Sequence, residues 1–166
     1  MASISNYNLV DAVARVEKMT LEQRARLGEE VHAHQPNLFF SVLALQRYGA
    51  TLEQVEVVLN VLLVFCEAMK ASGKHWPVIS EEVQGRCLAR VSGRVRFTEG
   101  LSRQQQTQAT LDAVGTHPEP HLLAYVFGTF KGSRLLGIKT EAEKMLMLAA
   151  LNLVECIAET APPTTS

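Results

Sequence analysis

Apolar residues recur along this chain at three- and four-residue spacing, and no segment alternates apolar and polar residues as a half-buried strand would. The spacing predicts helices over about residues 7–17, 20–33, 36–48, 51–71, 80–96, 102–115, 119–131 and 140–160. Their starts are marked by polar residues. Thr20, Thr51, Ser102 and Thr140 are each followed three positions later by Gln23, Gln54, Gln105 and Glu143. In such a capping box the hydroxyl accepts from an unpaired N–H of the first turn, and the longer side chain reaches back to the cap's own N–H. Pro36 and Pro120 fall where a first helical turn has no use for an N–H, and Ser80 with Glu81 and Glu82 sets negative charge at a positive dipole end. Asp11/Arg15, Glu22/Arg26 and Glu82/Arg86 are acid-before-base pairs one turn apart, the order that supports a helix. The tail over 161–166, APPTTS, is expected to fray.

Two of these segments differ from the rest. Residues 51–71 and 140–160 are apolar nearly all round, so the helices they form belong at the centre, wrapped by the others. Spacings between similar positions rise in one direction: 82 residues from Thr20 to Ser102, 84 from Pro36 to Pro120 and 90 from Cys66 to Cys156. That progression is expected of a three-helix unit present twice, with a few extra residues in the second copy, for which Gly132–Gly137 is the natural place. The alternative is chance likeness between capped amphipathic helices. The expected fold is therefore an all-α, single-domain bundle of seven or eight helices over 1–160, with an internal duplication. Its repeat-like units are about 20–71 and 102–160, joined by a helix over 80–96.

Composition narrows the class. A length of 166 residues, 47% hydrophobic and 20% charged, is that of an ordinary globular domain and excludes disordered, collagen-like and disulfide-scaffold chains. Sixteen basic against seventeen acidic residues lack the cationic surplus that nucleic acid or an anionic membrane demands, so neither is an expected partner. The first residues, MASISNYNLVDAV, do not read as a signal peptide, and no apolar run approaches the roughly 18 residues of a membrane span. Cys66, Cys87 and Cys156, odd in number and widely spaced, read as reduced thiols of a cytoplasmic protein.

Candidate chemistry is sparse. Arg86, Arg90 and Arg94 recur one turn apart with Arg96 just beyond, a basic stripe opposed in sequence only by Glu82 and Glu99 and suited to an acidic partner surface. Trp76, the only tryptophan, stands beside Pro77 in a linker where it could anchor a partner. Asn60 and Asn152 lie on the two apolar helices, as do Cys66 and Cys156. The amides need hydrogen-bond partners or a pocket to face, while the thiols are expected to behave as small hydrophobes. His32, His34, His117 and His121 are weak metal candidates, because Pro118 and Pro120 make the second pair an extended entry rather than a helical turn. Glu29 and His32 have the spacing of a di-iron ligand pair, but Asp112 and Gly115 fail to repeat it. Residues 44–58 mimic a helix-turn-helix, yet its second helix carries Glu53 and Glu56 and no base-reading cation.

No phosphate loop, nucleophile elbow or zinc-protease motif occurs, so no catalytic residue and no cofactor is assigned. These features predict a non-enzymatic interaction or regulatory module of the cytoplasm, with a protein partner or a homodimer joined through Arg86–Arg96 and Trp76. The alternative is a small-molecule-binding protein or enzyme with an apolar pocket between the two central helices, lined by Asn60, Asn152, Cys66 and Cys156.

Overall fold

The computed structural model describes residues 1–163, and among them the backbone forms eight α-helices and no strand. They are α1 (Asn6–Lys18), α2 (Leu21–His34), α3 (Pro36–Leu43), α4 (Leu52–Ala71), α5 (Glu81–Glu99), α6 (Arg103–Thr116), α7 (Pro120–Gly132) and α8 (Glu141–Thr160). All four capping boxes form, with both reciprocal bonds present at Thr20, Thr51, Ser102 and Thr140. Ser80 caps α5 through Val83 N–H at 3.1 Å, and Pro36 and Pro120 occupy the first turns of α3 and α7. The all-α helical bundle is thus the one that the periodicity and caps predict. Of the tail expected to fray, residues 161–163 carry no regular structure and the last three lie outside the described residues.

Two boundaries differ, the simpler being the end of α5, which runs on to Glu99 where 96 was expected. The helix expected over 36–48 gives way at Leu43 to a 3₁₀ turn, Ala44–Tyr48. Tightening brings Ala50 N–H to Leu45 O at 3.3 Å and Gly49 N–H to Gln46 O at 3.1 Å, and this double closure requires the left-handed φ of 90° that Gly49 supplies. The same closure ends α7, where Leu135 N–H meets Phe130 O at 2.8 Å and Arg134 N–H meets Lys131 O at 3.2 Å. There an arginine, with φ of 59°, holds the position that glycine favours.

Helices α4 and α8 meet at the centre. α1 lies along α4 and α5 along α8, α2 packs on α3 and α6 on α7, and both α3 and α7 touch both central helices. Enclosure on every side explains why α4 and α8 lack a polar face: Val61 to Phe65 are all buried, as are Leu153, Val154, Cys156 and Ile157. The buried acidic members of these helices are paired. Glu67, 5% exposed, meets Lys70 at 2.5 Å and Arg15 at 3.5 Å. Most of the buried apolar side chains form one cluster reaching from Ile4 to Ile157. α6 contributes no buried residue and rides on the outside.

Candidate functional site

The arginine stripe of α5 stays exposed but runs along α8, whose carboxylates it meets. Arg86, Arg90 and Arg94 climb one face of α5 at one-turn intervals, and Glu155 and Glu159 do the same on the adjoining face of α8, so antiparallel docking sets the rows against each other. Arg86 donates to Glu159 Oε1 through Nε at 3.0 Å and Nη2 at 2.5 Å, and Arg90 Nη2 donates to Glu159 Oε2 at 2.8 Å. Arg94 Nη1 reaches Glu155 Oε1 at 2.5 Å. The offsetting charges expected from Glu82 and Glu99 come instead from two residues some 70 positions away, and Glu99 pairs with Lys144 at 2.8 Å. Arg96 stays exposed beyond the seam and joins no ion pair among the described residues.

The seam continues inward. Glu119 N–H donates to His117 Nδ1 at 2.9 Å, which puts the ring proton on Nε2, where it is donated to Glu155 Oε1 at 2.9 Å. The His117 contact first, then Arg94, holds the Glu155 carboxyl down at about 2 against the cost of burial. Glu159 is likewise held at about 2, by the Cys87 thiol, which donates to Oε2 at 2.8 Å, and by Arg86 and Arg90. Burial and that same carboxylate push Cys87 up to about 11. Cys156 is raised too, by burial and then by the neighbouring Cys87 thiol. Arg90 donates to Cys87 Sγ at 3.4 Å, but burial and the Glu159 carboxylate outweigh it, so both thiols stay protonated within the fold.

The other expected site residues do not converge. Asn60 accepts from Arg24 at 2.7 Å, whereas Asn152 donates to Gln84 O at 3.2 Å and leaves its buried Oδ1 without a partner. Cys66 lines a cleft that neither asparagine nor Cys156 reaches. Trp76 is half-buried, and its indole N–H donates to Ile157 O at 3.1 Å, so it ties the linker to α8. His32 sits among the rings of Phe39 and Phe40, His34 donates from Nδ1 to Glu30 O at 2.9 Å, and both nitrogens of His117 are engaged. Among the described residues no three His, Cys, Asp or Glu side chains come together as a metal site, and His121 joins no such group.

Two features that the sequence did not single out are prominent in three dimensions. Glu119, 1% exposed, turns its carboxylate toward the N-terminal segment and accepts from Ser3 N–H at 2.7 Å and Ile4 N–H at 3.3 Å. A sequence offers no signal for that, since the partners stand more than 100 residues apart. The second is an apolar face on α3 and the 3₁₀ turn. Phe40 is 55% exposed, Leu43 38% and Tyr48 56%, and an open cleft of about 460 Å³ lies between Phe40, Leu43, Ala44, Gln46 and Arg47. Periodicity could have flagged it: Phe39 and Phe40 are adjacent, and a helix cannot bury both against one neighbour.

No helix among the described residues is long and apolar enough to cross a membrane. Compared with protein-family models, with curated proteins and with solved structures, the chain matches none.

Proposed function

We propose that this chain is a non-enzymatic interaction module of the cytoplasm that self-associates as a homodimer through the face formed by α3 and the 3₁₀ turn. The observation that supports this reading is the grouping of Phe40, Leu43 and Tyr48, half exposed or nearly so, on one short segment beside an open cleft. Exposed apolar side chains are ordinary when scattered, but here Phe40 and Leu43 line the concavity together and Tyr48 follows on the same short segment, and aromatic residues are enriched at interface centres. Arg47 lines the same cleft and supplies a rim cation. The α5 stripe is the weaker surface for a partner, because Glu155 and Glu159 already neutralise most of its charge.

A duplication belongs to the same proposal. Helices α2 and α6 have 14 residues each and α4 and α8 have 20 each, and the α1–α4 pairing has its counterpart in α5–α8.

Sedimentation equilibrium of the wild type and of the pair F40E/Y48E tests the reading. The wild type is expected to show a concentration-dependent dimer, and the variant a monomer with unchanged helical circular dichroism. A wild type that stays monomeric throughout, or a variant that dimerises equally well, overturns the self-association.

A further inference from the structure

A second concavity, sharing no lining residue with the first, lies where the C-terminal half of α2 and the end of α4 meet the linker before α5. It holds about 220 Å³. Its apolar lining comes from Leu27, Val31 and Met69, with the Trp76 indole alongside. Since an apolar cavity of about 150 Å³ accommodates a benzene ring, this one has room for such a ring with a short polar arm.

The linker wall is fixed in place. Gln35 donates from Nε2 to Pro77 O at 2.8 Å and accepts from Ile79 N–H at 2.9 Å, Asn37 donates to Ile79 O at 2.9 Å, and Trp76 is held on Ile157 O. A wall held by four hydrogen bonds loses little freedom when something binds against it. Cys66 adds no charge, because burial pushes its thiol up to about 12.

The polar groups of this cleft differ in what remains available. Lys70 is committed to Glu30 at 2.9 Å and Glu67 at 2.5 Å, which cancels Glu30 as well. Lys74, half-buried at the rim, meets no carboxylate within ion-pair distance among the described residues. His34 has its Nδ1 proton on Glu30 O, so Nε2 is the nitrogen left to a ligand, and exposed His75 stands beside Lys74. The cleft therefore combines an aromatic wall, an apolar floor, one uncompensated cation and two imidazoles.

We propose that this cleft binds a small aromatic monocarboxylate, its ring against Trp76, Leu27 and Met69 and its carboxylate on Lys74. One uncompensated cation suits a single negative charge, since Lys70 and Glu30 already neutralise each other. The site lies apart from the α3 face, so it does not depend on self-association.

Trp76 is the only tryptophan of the chain, so its fluorescence reports on this cleft alone. Phenylacetate and its neutral counterpart 2-phenylethanol are titrated into the wild type, and phenylacetate also into K74M, with circular dichroism to confirm that K74M folds. The expected result is a saturable change in the Trp76 signal with phenylacetate, about tenfold weaker binding of the alcohol, and about tenfold weaker binding of phenylacetate to K74M. R47M, altered in the other cleft, is expected to bind as the wild type does. No saturable signal, equal affinity for acid and alcohol, or undiminished binding by K74M overturns the proposal.

Discussion

Glu155 and Glu159 carry the charged contacts of α8 to the α5 arginines, and each has a carboxyl held far below its ordinary value of 4.5. A carboxylate with a depressed value in the folded state stabilises fully above its unfolded value, and the benefit is lost as pH falls toward the folded value. Stability of this chain is therefore expected to decline between about pH 4.5 and about pH 2. Urea midpoints across that window, compared with the double variant E155Q/E159Q, measure it, and the variant should give the flatter profile. Added salt should weaken mainly the Glu159 share, since that side chain is the more exposed of the two. Arg134 offers the opposite case. Its left-handed backbone is strained for any residue with a Cβ, and its guanidinium joins no ion pair among the described residues, so R134G is expected to raise stability by about 0.5–1 kcal/mol in thermal unfolding. The capping residues were legible because a cap is local: the hydroxyl and its N–H partner lie three residues apart. Glu119 was not, because its partners are amides of the opposite end of the chain.

At the scale of elements, the eight helices differ in what holds them. α4 and α8 are enclosed by other helices, whereas α6 buries nothing and relies on its capping box, since its threonine hydroxyls only bond back to carbonyls one turn earlier and add no support. A helix of 14 residues with so little tertiary support is marginal in water. Hydrogen exchange is expected to show α6 amides exchanging far faster than those of α4, with α8 protected close to the global limit. The caps contribute measurably where packing is thin: S102A should cost about 1 kcal/mol of local stability in α6, visible as a further loss of protection confined to that helix. Element positions followed from the sequence within one or two residues nearly everywhere. The exceptions are the end of α5, three residues beyond 96, and the 3₁₀ turn after Leu43, which arises where the chain must close onto Gly49 within a single turn, and hydrophobic spacing has no bearing on how tightly a turn winds.

Across the whole molecule, the N-terminal segment is fastened by Glu119 and by the fully buried Ile4, so the start of the chain is part of the cluster that surrounds α4 and α8. E119A leaves two amides without acceptors and is expected to cost about 2–3 kcal/mol, detected both by denaturant midpoint and by faster proteolysis ahead of α1. The sequence by itself determined the helical class, the helix boundaries and the central pair, because each depends on neighbours within a few positions or on the overall apolarity of one segment. Only the tertiary structure decided which charges cancel, which aromatic side chains remain in solvent and where clefts open. Those outcomes depend on the rotation with which each helix docks. The pairing of Arg86, Arg90 and Arg94 with glutamates of α8, the stranded Phe40 and Tyr48, and the union of His34, Lys74 and Trp76 in one cleft all follow from helix phase between segments distant in sequence. A periodic pattern specifies which face of a helix is buried, but not the neighbour it is buried against.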